Sequence, residues 1–166
     1  MPLRSVTPAG GIARRTLAAV DDSGSTRMPA PTPSYPPGIT VESLASGMPR
    51  ALDGQGLVLL HVTYEPGAVI RAHTDPGAAT YSVQSGTIEL SIESGTAQLE
   101  RAGQDESQML NAGDTIATRT GDAVFYDAGT AHTTRNSGRS PATMIVAAIF
   151  TPDKPLLQPV DGDGAD

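Results

Sequence analysis

The stretch GAVIRAHTDPGAATYSVQSG, residues 67–86, carries the pattern from which the fold can be predicted. It contains two short runs, AVIRAHT and AATYSVQ, that include Val, Ile, Thr and Tyr and are separated by Asp-Pro-Gly. Residues of the first kind favour strands, whereas Pro and Gly favour turns. The stretch therefore predicts two strands joined by a turn, with a glycine at each outer end.

The same pattern extends outward over about residues 39–152. Glycine recurs at intervals of eight to ten residues, between runs such as LVLLHVTYE, TIELSIE and ATMIVAAIF. Apolar and polar residues alternate in several runs, as at Ile88, Leu90 and Ile92, which predicts strands with one buried face. Short strands at this spacing are typical of an all-β sandwich or barrel. Because the chain has no Trp and few aromatic residues, we expect a core of Val, Ile, Leu and Ala.

The two ends of the sequence differ from its middle. Residues 1–38 are dominated by Pro, Gly, Ser and Thr without a sustained period, which predicts a disordered arm. Residues 153–166 end in DGDGAD and predict a flexible acidic tail. Arg14 and Arg15 resemble the start of a twin-arginine export signal, but acidic residues interrupt the following apolar stretch after five positions, short of the ~7–15 that a signal needs. We therefore expect a cytoplasmic protein.

Composition excludes several functional classes. The 166-residue chain has no Cys, which excludes disulfide frameworks, cysteine-based metal sites and thiol nucleophiles. Its net charge is −7 and its basic residues are scattered, so we expect no nucleic-acid partner. No apolar run approaches the ~18 residues of a membrane span, so we expect no membrane partner. A small-molecule ligand is the expected partner.

Two of the three histidines lie in patterned contexts. His73 belongs to the stretch above, and His132 belongs to GDAVFYDAGTAHTTRN, residues 121–136. The pair of stretches resembles the two motifs of the cupin superfamily. The matching positions are Gly67, His73 and Gly86 in the first motif, and Gly121, Gly129, His132 and Asn136 in the second. The resemblance implies a cupin-type double-stranded β-helix, or jelly-roll, barrel over about 39–152.

The sequence departs from the family pattern at the metal ligands. The family uses two His and one Glu of the first motif and one His of the second. Here Asp75 stands at the second His position, Ala79 at the Glu position, and Asp127 replaces the Pro of the second motif. Because alanine cannot bind a metal, the usual four-ligand site is absent.

The remaining candidates for metal ligands are His73, Asp75 and His132. Residues two apart on a strand point to the same face, so His73 and Asp75 should project together, and the family's motif pairing would bring His132 opposite. Two imidazoles and one carboxylate form a facial triad of the kind that holds non-haem iron. The predicted cofactor is a divalent ion of Fe, Mn, Ni or Zn. Alternatively, Asp75 caps the Pro76–Gly77 turn.

Strand parity gives further candidates for the site. Tyr81 shares the face of position 79 and is predicted as a catalytic general acid or, alternatively, as a core tyrosine. Arg71 shares the face of His73 and is predicted to bind an anionic substrate or to be a charge at the rim. Of Phe125 and Tyr126, one must face inward, and Tyr126 is the predicted substrate-binding residue.

Two functions fit these observations. The first is a metal-dependent cupin that acts on a small organic molecule as an oxygenase or as an isomerase or lyase. The second is a non-catalytic cupin barrel that binds or senses a small ligand and keeps a vestigial metal site. Loss of the family's Glu favours the second, whereas retention of both His and an Asp favours the first. The resemblance also implies a homodimer.

Overall fold

The computed structural model describes residues 35–160, and the regular elements in this range are all β-strands, which confirms the predicted all-β class. No helix in this part of the chain is long and apolar enough to cross a membrane. The strands are β1 (Ile39–Gly47), β2 (Gly56–Tyr64), β3 (Val69–Thr74), β4 (Ala79–Ser85), β5 (Thr87–Ser94), β6 (Thr96–Glu100), β7 (Ser107–Asn111), β8 (Thr115–Arg119), β9 (Ala123–Tyr126), β10 (Ala131–Arg135), β11 (Ala142–Phe150) and β12 (Gln158–Pro159).

The strands form two antiparallel sheets. The larger sheet has seven strands in the order β1-β2-β11-β4-β9-β6-β7, and the smaller has five in the order β12-β3-β10-β5-β8. Most neighbours are distant in sequence, as in a jelly roll. The strands that carry the two motif histidines, β3 and β10, lie side by side in the smaller sheet. The topology therefore joins the two motifs that the sequence analysis singled out.

Alternation of apolar and polar residues places the core between the two sheets. In β2, Val58, Leu60, Val62 and Tyr64 are buried, while the residues between them are more exposed. Successive side chains of a strand point to opposite faces, so each strand contributes every second residue to the interior. The aliphatic core is as predicted, but it also contains three buried tyrosines: Tyr64, Tyr81 and Tyr126.

The turn between β4 and β5 requires a glycine at position 86. Gly86 has φ of +77°, in the left-handed region that residues with a side chain rarely adopt. A Cβ atom built there would lie 2.7 Å from the Cβ and 2.9 Å from the Cα of Ala142. Both the backbone angle and the closeness of β11 therefore explain why this motif position is Gly.

The barrel extends beyond the predicted bounds of 39–152 at both ends. Tyr35, within the predicted arm, lines the internal cavity. Leu156 and Leu157 also line it, and β12 pairs with β3, so the described part of the predicted tail, through residue 160, contributes to the barrel. The reason is that apolar side chains and free strand edges find partners on the barrel. The rest of the predicted arm and tail, residues 1–34 and 161–166, lies outside the described residues.

Candidate metal centre

Pairing of β3 with β10 brings His73 and His132 together. The two residues are direct partners across the strands, and their ring centroids are 4.3 Å apart with an angle of 54° between the ring planes. The side chains are buried, with exposed fractions of 4% for His73 and 1% for His132. The two imidazoles therefore share one interior space, as the motif positions predicted. The third histidine, His61, is on β2 opposite Glu42 and is only half-buried.

Backbone hydrogen bonds determine which nitrogen of each imidazole is free. Nδ1 of His73 lies 2.8 Å from the carbonyl oxygen of Arg71, and Nδ1 of His132 lies 3.1 Å from that of Thr130. A carbonyl oxygen only accepts hydrogen bonds, so Nδ1 carries the proton in both rings. Each Nε2 is left with its lone pair. This is the arrangement in which a second partner orients a metal-binding histidine.

Burial keeps both imidazoles neutral at pH 7. Desolvation lowers the pKa of His73, and a backbone hydrogen bond from this ring to Arg71 only partly opposes it. For His132, desolvation and the proximity of His73 lower the pKa to about 4. A neutral imidazole is the form that binds metals. No proton has to leave either ring before an ion binds.

Asp75 supplies a carboxylate to the same group. It follows the last residue of β3, and ligand atoms of His73, Asp75 and His132 all lie within 4.8 Å of one another. Burial raises the pKa of Asp75 to about 6, and hydrogen bonding by Tyr126 partly opposes this rise. Among the hydrogen bonds of residues 35–160, none joins this carboxylate to a backbone amide of the Pro76–Gly77 turn. The capping alternative therefore has no contact to support it.

The donor set fits a divalent transition metal. Two imidazole nitrogens and one carboxylate oxygen suit Fe, Mn, Ni or Zn. Bonds of ~2.0–2.2 Å place neighbouring ligand atoms about 3–4 Å apart, so separations within 4.8 Å need only small side-chain rotations. The three residues would bind an ion from one side and leave its other positions open. We refer to His73, Asp75 and His132 as the triad.

Tyr126 contacts two members of the triad. Its ring packs on His132, with centroids 4.3 Å apart, and its hydroxyl lies near enough to the Asp75 carboxylate to lower the pKa of that carboxyl. Tyr126 is also the cross-strand partner of Ala79, the residue at the family's Glu position. The large side chain of Tyr126 therefore lies next to Ala79, which has no atom that could serve as the fourth ligand. Phe125 is 48% exposed, so Tyr126 is the inward-facing member of that pair.

The triad opens into a cavity of about 50 Å³ inside the barrel. Since one water occupies roughly 10–15 Å³ on this measure, the space corresponds to three to five waters. The lining includes the triad, Tyr126, Tyr64 and Thr134 on the polar side. Its apolar part consists of Val41, Leu60, Val62, Ile70, Met144, Val146, Ala148, Leu156 and Leu157, and Tyr35 completes it.

Arg71 lies outside the cavity, because β3 contains a β-bulge. His132 pairs with His73, but Thr134 pairs with Ile70, so β3 has one extra residue between the two pairs. The bulge reverses the alternation: Ile70 is buried, whereas the side chain of Arg71 is exposed. The parity argument for Arg71 as a cavity residue is therefore wrong. Its backbone carbonyl, not its guanidinium, contributes to the site.

Tyr81 faces the interior as predicted but is not in the described lining of the cavity. Its hydroxyl lies 3.4 Å from Oγ1 of Thr118, which itself donates to the carbonyl oxygen of Ile88. Desolvation raises its pKa above the usual value. This placement matches the core alternative and gives no support to the predicted catalytic role. Parity identified the correct face of β4 but not the depth at which the side chain lies.

Three residues of the lining come from segments that sequence reasoning placed outside the barrel. Tyr35 lies before the first predicted strand, and Leu156 and Leu157 lie after the last one. The available signal was the apolar pair Leu-Leu in a segment otherwise interpreted as tail. Their contribution depends on pairing of β12 with β3, which the sequence alone does not show.

The chain belongs to the cupin family. The family model described as a cupin domain matches residues 60–148, which include most of the strands and the whole triad. The match agrees with two independent observations: the all-β barrel and the pairing of the two motif histidines. No curated protein matches the chain significantly.

Solved structures resemble the chain at low identity. The structure of Bacillus subtilis oxalate decarboxylase matches with 21% identity and a TM-score of 0.40. The match covers 59% of this chain and 22% of that chain. A cupin 2 conserved barrel domain protein from Leptotrichia buccalis matches with 16% identity and a TM-score of 0.47. The match covers 70% of this chain and 43% of that chain. A conserved Streptococcus pyogenes protein of unknown function matches with 17% identity and a TM-score of 0.38. The match covers 70% of this chain and 76% of that chain. The chain thus spans about a fifth of the oxalate decarboxylase.

Proposed function

We propose that the protein is a metal-dependent cupin that binds one divalent ion through His73, Asp75 and His132 and acts on a small organic molecule. The observation that carries the proposal is the convergence of two neutral imidazoles, each with Nδ1 bonded to a backbone carbonyl, and one carboxylate on a single cavity. Side chains without a ligand role have no evident reason to expose three donor atoms to one another in a barrel interior.

The arrangement supports oxygenase or isomerase and lyase chemistry. A bound divalent ion supplies Lewis acidity or, with iron, reaction with oxygen at its open positions. The triad would hold the ion, while the aliphatic walls exclude water and position the substrate. Tyr126 places a hydroxyl next to Asp75, where it can hold a proton close to the substrate.

Metal analysis of tag-free protein tests the proposal. We expect about one equivalent of Fe, Mn, Ni or Zn, with loss of the ion in His132→Ala. His61→Ala is the matched control, because His61 is half-buried on the larger sheet and outside the triad. Absence of uptake from a panel of these ions, or equal uptake in His132→Ala, would contradict the proposal.

A binding or sensing barrel is the second candidate function. It is favoured by Ala79, which leaves three ligands where the family has four, and by the mainly aliphatic lining. The two functions differ in a measurable way. A sensing barrel binds metal and small ligands without consuming them, whereas an enzyme converts a ligand in the metal-loaded form.

A further inference from the structure

The cavity combines a few polar groups with a mainly aliphatic lining. Among the described residues that line it, Asp75 is the one acidic side chain, and neither Arg nor Lys occurs. The hydroxyls of Tyr64 and Thr134 lie 2.9 Å apart and bond to each other. Polar demands of a ligand can therefore be met at the triad, at Tyr126 and at Tyr35.

The C-terminal segment contributes leucines to the apolar lining. Leu156 and Leu157 enter the lining just before β12. Pro159 of β12 is the cross-strand partner of His73, and the amide of Val160 donates to the carbonyl oxygen of Ala72 at 3.1 Å. The leucines are thus tied to β3, the strand that carries His73 and leads into Asp75. Gln158 and Pro159 pair with Thr74 and His73, so sheet pairing holds the two leucines close to the triad.

We propose that the cavity takes a small amphiphilic molecule, with one polar or singly charged head at the triad and an aliphatic body of about two to four carbons against the leucines. For a charged head this rests on the proposed function, since the ion would bind the head. Burying a second charge against aliphatic walls without a cation is unfavourable. Each additional methylene removed from water favours binding until the cavity is filled.

Calorimetry with acetate, propionate, butyrate and succinate tests the proposal on the Co(II)-loaded protein. We expect affinity to rise up to about fourfold per methylene from acetate to butyrate. Succinate, which has the same number of carbons as butyrate, should bind at least tenfold more weakly. A flat series, or succinate that binds as tightly as butyrate, would overturn the proposal.

Variants of the leucines test the position of the aliphatic body. Leu157→Ala should move the best chain length from butyrate towards longer monocarboxylates, and Leu157→Val should do so to a lesser extent with less risk to folding. Leu44→Ala is the control, because Leu44 is 48% exposed on β1 and outside the lining. An unchanged preference in both Leu157 variants would contradict this assignment.

The metal-free protein separates failure of this proposal from failure of the proposed function. If the chain takes up no Co(II), the metal function fails, and 1-propanol, 1-butanol and 1,4-butanediol replace the carboxylates. The monoalcohols should then bind more tightly than the diol. Binding of no probe in either form would overturn the ligand class.

Discussion

Two backbone carbonyls, those of Arg71 and Thr130, determine which ring nitrogen of each buried histidine is free to bind a metal. Each accepts a hydrogen bond from the histidine two residues further along the chain. The contacts are local, so the segment that carries each imidazole also orients it. Motif spacing predicted that the rings would meet, but not which nitrogen would be free, because that depends on the bulge in β3 and on ring orientation.

Asp75→Ala should weaken metal binding by at least the 10–100-fold typical of perturbing even indirect partners of a metal site. The carboxylate is the anionic ligand, and two neutral imidazoles compensate a dication poorly. Isothermal titration with Zn(II), together with melting curves, measures the effect.

Asp127→Ala is the matched control for this prediction. Asp127 is exposed and accepts a hydrogen bond from the amide of Ala128 at 2.9 Å, so its loss should reduce stability by ~1 kcal/mol, as for other caps, without changing metal affinity. If Asp75→Ala behaves like Asp127→Ala, Asp75 is a turn residue and not a ligand.

Tyr126→Phe should lower metal affinity about tenfold while the ring still packs on His132. The hydroxyl lies near the Asp75 carboxylate and lowers its pKa, so its removal takes away a polar neighbour that favours the ionised ligand. Tyr64→Phe is a close control, since Tyr64 also lines the cavity but bonds to Thr134. The absorption spectrum of the Co(II) form reports the ligand geometry, and identical spectra and affinities in the two variants would contradict the role of Tyr126.

At the scale of elements, the sequence predicted strands and glycine turns well and their irregularities poorly. Gly spacing and alternation identified the barrel, because burial of one strand face imposes a period of two. The bulge in β3 was not visible, because a single extra residue leaves no compositional mark, and it moved Arg71 to the surface. β12 was missed because a two-residue strand forms only where an edge is available.

Gly86→Ala should destabilise the fold more than Gly103→Ala. Both glycines have positive φ, +77° and +74°, so each substitution should cost roughly 1–2 kcal/mol from the backbone conformation. At Gly86 the new methyl group also meets the Cα of Ala142 in β11, whereas nothing lies within 4 Å of the Cβ position at Gly103. Overpacking typically adds about 1–3 kcal/mol. Urea denaturation measures the difference, and equal losses would argue against close contact of this turn with β11.

At the scale of the whole molecule, the interior contains three side chains whose protonation differs between the folded and unfolded states. Burial raises the pKa of Asp75 to about 6 and lowers that of His132 to about 4, and it lowers that of His73 as well. Unfolded values are about 3.9 for Asp and 6.5 for His. Between these limits the folded state keeps a proton on Asp75, while the unfolded state keeps protons on both histidines.

The unfolding free energy of the metal-free protein should rise with pH between about 4.5 and 6.5. Stability increases with pH where the unfolded state binds more protons, and two histidines outweigh one carboxyl. Asp75→Asn removes the opposing contribution and should make the rise steeper. Chemical denaturation across this range measures both profiles, and a profile that falls towards pH 6.5 would contradict burial of neutral histidines.

The pairing of β3 with β10 also has a consequence for the order of events during folding. The triad lies on segments that are adjacent in the smaller sheet but separated in the chain by six intervening strands. Contacts between distant segments must first overcome the entropy of closing a long loop, which makes such topologies slow to form. A stretch ending before β10 contains His73 and Asp75 without His132, so the donor set is incomplete. Tight binding of an ion should then occur only late in folding. The rate of metal binding during refolding would therefore report the rate at which β10 pairs with β3.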